Sequence, residues 1–249
     1  MKPTERPREW RREWRRARFR GPSRGRAGVS VLSAAVALLL LAGCGDITPG
    51  TASVVNGTRI TNDDVEELTS AQCVLRKQLA KTEQAPAASA SRVRQESLGL
   101  LMDTELSKQF GESEGIEVDK GLAGALFGQV EPFFEPLPEK SRTVFNEVFE
   151  NWAEGRAVLV QAGGEATGQL PRPENLEQVM NAGLVAREKW QQKADIKTDP
   201  SFAPGKDGFP GGESSSSVSR AISDFAKKSA AAEQDPDWIS ALPASQRCG

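Results

Sequence analysis

Apolar and polar positions recur along most of this chain at the spacing of helices. The first such segment, Asn62–Lys81, puts Val65, Leu68, Leu75 and Leu79 on one stripe. Cys73 falls about 125° from that stripe at 100° per residue, so it is expected to face a covering segment and not the core. A second helix over Arg92–Glu114 aligns Val93, Leu98, Leu101, Met102, Leu106 and Phe110. Gly115–Val118 reads as a short extended link, and Asp119 caps a shorter helix, Lys120–Gln129. Pro138 suits the first position of a longer helix, Pro138–Gln161, with Val144, Phe145, Val148, Phe149 and Trp152 as its apolar face. Gly163-Gly164 is expected to stop it. Pro173 opens another helix to Gln192, with a looser stripe of Leu176, Val179, Met180, Leu184 and Trp190. The pattern predicts a mainly α fold.

Two stretches depart from it. Val54–Leu68 (VVNGTRITNDDVEEL) reads as a short strand, a tight turn, a second strand and a capped helix. Val54 and Val55 favour extended backbone, and Asn56-Gly57 is a two-residue hairpin turn because both residues tolerate positive φ. Thr61 is the expected N-cap, with Asp64 at the reciprocal position of a capping box. The second stretch, Ala194–Thr198, reads as a solitary strand, and a solitary strand needs a partner. The Val54–Ile60 hairpin is the obvious one, and the pairing would join the two ends of the helical block.

Glu83–Ser91 is a break of small residues. Ala203–Ser217 is rich in Gly, Pro and Ser and is expected to be a mobile loop. Its glycines lack the Lys-Ser/Thr ending of a phosphate loop. Val218–Ala232 is a short helix or an extended segment. Trp238–Pro243 carries apolar weight close to Cys248 and looks like a tail that docks.

The N-terminus changes how much of the chain is expected to fold. An Arg-rich stretch precedes a short apolar run, Ala27–Leu41, and the run ends in Leu41-Ala42-Gly43-Cys44. A basic segment before a short apolar one is a secretory signal, and its ending resembles a bacterial lipobox. In such signals the chain is cut before the Cys, and its sulfur carries a diacylglyceryl group. Two acyl chains suffice for stable anchoring. Cys44 is therefore the expected lipidation site, on the extracytoplasmic face of the cell membrane. The organisation expected is a signal peptide over 1–43, a tether over 44–52, a helical domain over 53–199, a flexible loop over 200–217, and a docked tail over 218–249.

Charge narrows the function. Residues 1–43 hold 11 Lys+Arg and 3 Asp+Glu of the chain's 32 and 34, so the rest carries 21 basic against 31 acidic residues, a net charge near −10. An acidic surface argues against nucleic acid, whose phosphates demand basic patches. Beyond Cys44 there remain Cys73 and Cys248, and an even pair outside the cytoplasm reads as a disulfide, with two free thiols as the alternative. The chain has no His. That removes His-based triads, His–metal sites and His general bases.

Little else suggests chemistry. Asp63, Asp64, Glu66 and Glu67 lie at a helix start, and Glu112, Glu114 and Glu117 on solvated faces. No calcium-loop spacing occurs, and no serine sits in a convincing nucleophile context. No cofactor or metal is expected. The aromatic set Phe127, Phe133, Phe134, Phe145, Phe149 and Trp152 clusters around Pro-rich turns. Partly exposed, these side chains are candidates for holding extended polypeptide; fully buried, they would be core.

A lipobox, a short tether, and then V-V-N-G-x-x-I-T before an acidic capped helix resemble the N-terminal domain of SurA- and PrsA-type extracytoplasmic foldases. Val54, Val55, Asn56, Gly57, Ile60 and Thr61 carry the likeness, and the Gly115–Val118 link and returning strand follow in similar order. A Cys in the first helix and a C-terminal Cys after a Trp-containing tail fit the lipoprotein branch that has this domain alone. The resemblance implies a SurA-N-like helical cradle with a small β element, binding unfolded or exported polypeptides. It implies no prolyl isomerase activity, since the parvulin domain is absent. The alternative is a scaffold lipoprotein recruiting one folded envelope partner.

Overall fold

The computed structural model describes residues 47–82, 87–211, 223–230 and 234–249. Its described part is mainly helical with a small antiparallel β element. The signal segment and Cys44 lie outside the described residues.

Strand β1 (Thr51–Val55) and β2 (Thr58–Thr61) form the hairpin, with Val55 opposite Thr58. Asn56 has φ 48° and Gly57 φ 89°, which is the backbone the Asn-Gly turn requires. Helix α1 (Asn62–Leu79) follows directly. Thr61 Oγ1 accepts from the Asp64 amide, and the Asp64 carboxylate accepts from the Thr61 amide, completing the capping box. Helices α2 (Ala90–Glu114), α3 (Lys120–Val130), α4 (Glu139–Thr167) and α5 (Leu176–Gln191) make up the block. Between α1 and α2 a two-residue strand, β3 (Ala88–Ser89), is formed.

The returning strand, β4 (Ile196–Thr198), pairs antiparallel with β1, so the three-stranded order is β2-β1-β4. Ser53 ties the seam, donating to the Lys197 carbonyl at 3.1 Å and bonding Thr198 Oγ1 at 3.0 Å. The solitary strand thus has the partner expected of it. The sheet packs on α2 through Val55, Ile60, Leu98, Met102 and Leu106, all buried. A second cluster, Leu68, Ala71, Phe134, Leu137 and Phe145, joins α1 to α4. A third, Phe110, Val158, Leu159 and Ala162, joins α2, α4 and α5. Arg187 on α5 reaches α2, donating to Asp103 Oδ1 at 2.5 Å and Ser107 Oγ at 2.8 Å.

Three expectations are corrected. Gly163-Gly164 does not stop the fourth helix, which runs on to Thr167 and ends at Gly168 with φ 65°. The missing side chains serve packing, because α5 crosses closely over Gly163. The fifth helix begins at Leu176 and not at Pro173. Asn175 Oδ1 accepts from the Arg172 amide at 2.7 Å, folding the prolines into a turn first.

The third correction concerns the loop expected over 200–217. Through Gly211 it is a folded strap. Asp199 caps a short 3-10 turn, Pro200–Phe202, and Phe202 is 1% exposed in the core around β1. Thr198 Oγ1 donates to the Gly208 carbonyl at 2.7 Å. Two buried anchors override a composition that reads as flexible. Residues 212–217 lie outside the described residues.

In the C-terminal part, α6 (Asp224–Ala230) and α7 (Pro236–Ser240) precede β5 (Arg247–Cys248). β5 pairs antiparallel with β3, Ala88 opposite Cys248. Trp238, Ile239 and Leu242 are buried over Ala87. Cys73 and Cys248 lie at disulfide-bonding distance, with Cα atoms 4.6 Å apart. The tail docks, held by a short ladder as well as by the cysteine pair.

Candidate functional site

Two helices present parallel polar-apolar rows to one another. On α2 the row is Leu101, Thr104, Glu105 and Lys108; on α4 it is Val144, Glu147, Val148 and Asn151. Both follow the i, i+3, i+4, i+7 spacing that lines up one helix face. Between them lies a cleft of about 240 Å³. Thr58, Arg59 and Ile60 of β2 close one side, and Asp64 and Glu67 at the start of α1 complete it. The Asn-Gly turn and the capping box fix both walls, because they set where β2 ends and how α1 departs.

The floor is apolar. Leu101, Val144 and Val148 are half-buried and pack around Phe134 and Phe145 beneath. The rim is acidic: Asp64, Glu67, Glu105 and Glu147 stand against Arg59 and Lys108. Asp64 is engaged in the helix cap, and Glu105 accepts from Gln109 at 2.6 Å. Lys108 donates to Asn151 at 3.2 Å, while the Arg59 guanidinium turns to the Pro49 carbonyl at 3.1 Å. Glu67 and Glu147 are exposed and make no ion pair among the described residues. Thr104 is 8% exposed, and its hydroxyl is buried without a hydrogen-bond partner among the described residues. A second groove of about 310 Å³ runs between α1 and α4, lined by Ala71 and Val74 and sharing Glu67 and Val144 with the first.

The six aromatic candidates separate by burial. Phe134 and Phe145 are 3% and 1% exposed and stack at 4.7 Å between ring centroids. They are core, and this corrects their expected role as client contacts, since a bound chain cannot reach them. Phe149 and Trp152 are half-buried and adjoin them at 5.0 and 5.6 Å along the chain of rings, Phe149 on Phe134 and Trp152 on Phe149. The Arg156 guanidinium lies 5.4 Å from the Trp152 ring. Phe127 is half-buried on α3, and Phe133 stands 61% exposed after it. The aromatics therefore support the cleft from below more than they line it.

The cleft residues Thr104, Glu105, Lys108, Glu147 and Asn151 escaped sequence reasoning. Each looks like an ordinary solvated helix position. The available signal is the polar row beside the apolar stripe on two successive long helices, but the pattern does not say which rows face each other. The carboxylate clusters behave as helix-start and surface groups: Asp64 caps α1, Glu66 accepts from Arg94 at 2.6 Å, and Glu112, Glu114 and Glu117 are exposed. Among the described residues no group of acidic or Cys side chains is arranged to hold a metal, and no helix is long and apolar enough to cross a membrane. Compared with known proteins, the chain matches no family model, no curated protein and no solved structure.

Proposed function

We propose that this protein is a membrane-anchored extracytoplasmic lipoprotein that holds unfolded segments of exported polypeptides, without prolyl isomerase activity. The anchor is a diacylglyceryl group at Cys44, argued from Leu41-Ala42-Gly43-Cys44 after an apolar run. The observation that carries the holding function is the open cleft between α2 and α4, with an apolar floor of Leu101, Val144 and Val148 on a rigid aromatic base. A half-buried apolar floor with a polar rim accepts varied side chains. Affinity is weak, because a disordered client loses entropy on binding. The SurA-N-like resemblance of Val54–Thr61 supports the same reading, and the absence of His supports a role without isomerase chemistry.

The test is suppression of aggregation. A chemically denatured client diluted into molar excess of the protein is expected to stay soluble longer than in buffer. Unchanged light scattering at every ratio overturns the holding function. A prolyl-peptide isomerisation assay is expected to run at the uncatalysed rate, and an accelerated rate overturns the second half of the proposal.

A further inference from the structure

Among the described residues the cleft has an unpaired strand edge for a wall. In a hairpin closed by a two-residue turn, the residues flanking the turn exchange both backbone hydrogen bonds, and the next pair exchanges none. Val55 lies opposite Thr58, so the next pair, Val54 and Arg59, is the non-bonded one. Val54 uses its outward groups on the other side, opposite Lys197 of β4. The Arg59 peptide N–H and C=O point away from β1, and β2 is the outer strand of the sheet order. Thr58 and Arg59 are exposed. The same residues line the cleft.

Three observations converge there: an unpaired strand edge, an apolar floor, and a rim with four carboxylates against two cations. The two cations are both turned to neutral partners, Asn151 and the Pro49 carbonyl. Glu67 and Glu147 are left to face whatever enters, and the Thr104 hydroxyl is buried with no hydrogen-bond partner among the described residues. Carboxylates of this kind favour a cationic side chain, and they repel an acidic one.

We propose that the cleft takes an extended segment of non-native polypeptide in which a basic side chain lies next to apolar ones, seated beside the edge of β2. This rests on the holding function proposed above and names its client class. The segment's backbone meets the Arg59 N–H and C=O by strand addition. Its apolar side chains lie on Leu101 and Val148, and its cation reaches Glu67 and Glu147.

The test uses the purified full chain and three labelled peptides of one apolar sequence carrying arginines, glutamines or glutamates at the same positions. The arginine peptide is expected to bind about tenfold more tightly than the glutamine one, consistent with a few exposed charge pairs acting together. The glutamate peptide is expected to bind most weakly, and the differences are expected to shrink as salt rises. Glu67→Gln with Glu147→Gln is expected to bring the arginine and glutamine peptides together.

Arg59→Pro removes the outward N–H without touching a β1–β2 hydrogen bond, a place where an edge strand tolerates proline. It is expected to weaken all three peptides at unchanged thermal unfolding. If Arg59→Pro unfolds the hairpin, Val148→Lys serves in its place, filling the floor with a competing cation and abolishing arginine-peptide binding. Equal binding of all three peptides with client protection retained overturns the charge selection and leaves the holding function standing. Charge selection that survives both the double Glu variant and the blocking variant overturns the site. No peptide binding and no client protection overturn both proposals together.

Discussion

Gly163 of α4 and Gly183 of α5 meet at the crossing of their helices. A Cβ placed on Gly163 would lie 1.7 Å from the Val179 carbonyl oxygen and 2.8 Å from the Gly183 amide nitrogen. One placed on Gly183 would lie 1.8 Å from the Leu159 carbonyl oxygen. The obstacles are backbone atoms on both sides, so neither helix can yield by a rotamer change. Gly163→Ala or Gly183→Ala must push the helices apart, opening the core around Phe110 and Leu159. Each is expected to cost about 3 kcal/mol or more in denaturant unfolding, the range of overpacked cores. Gly124→Ala on α3 has open space around the new methyl and is expected to stabilise by about 0.5–1 kcal/mol.

That crossing also marks where pattern reading stops. The stripe on the fourth helix gives its existence, but of its five residues only Phe145 is core, while Val144, Val148, Phe149 and Trp152 are half-buried. The Gly163-Gly164 pair carries two meanings in one dimension, helix end or close approach, and only the position of α5 selects the second. The strand at Ile196–Thr198 is legible because a lone strand has a single free partner nearby. The cleft is not legible, because its rows become a site only through the angle between α2 and α4. For Phe134 and Phe145 the sequence leaves exposed and core readings open, and packing against Leu68 and Ala71 of α1 decides for core.

The Cys73–Cys248 pair closes a span of 175 residues. Cys248 sits in the β3–β5 ladder opposite Ala88, and Cys73 on α1 packs against the same small cluster beside Val93. Non-reducing peptide mapping is expected to recover the two Cys peptides joined; free thiols at both positions would contradict it. Chain-entropy reasoning caps the contribution at about 5 kcal/mol, and Cys248→Ser is expected to lose about 2–4 kcal/mol of it. The Trp238, Ile239 and Leu242 contacts and the β3–β5 ladder remain in that variant. Limited proteolysis should therefore release the tail faster without unfolding the helical block.

Phe202 decides whether the segment after β4 is strap or loop. Its ring is 1% exposed among Val55, Leu98 and Met102, with the Arg94 guanidinium 4.1 Å above it. Phe202→Ala is expected to cost about 3–4 kcal/mol in urea unfolding, from lost burial and the cavity left behind. Amide exchange should rise at Gly211, whose amide donates to the Phe202 carbonyl at 3.1 Å, before it rises in α4. A change below about 1 kcal/mol would mean that the strap is held by Thr198 and its partners instead.

Phe145 and Phe133 separate the structural from the functional role of the aromatic set. Phe145 is core, stacked on Phe134 under the cleft floor, so Phe145→Ala is expected to cost about 3–5 kcal/mol. Because the floor residues Val144 and Val148 rest on that stack, peptide binding in the cleft should fall with it, even where the variant remains folded. Phe133 stands exposed beyond α3 and lines neither groove. Phe133→Ala is expected to leave unfolding within about 0.5 kcal/mol of the parent, as surface substitutions do. Its effect on client protection is then a clean readout. Unchanged peptide binding with reduced protection of a denatured client would place Phe133 on a second contact surface, and unchanged protection would leave the cleft as the binding surface that counts. A large stability loss in Phe133→Ala would instead show that the ring packs into the core in solution.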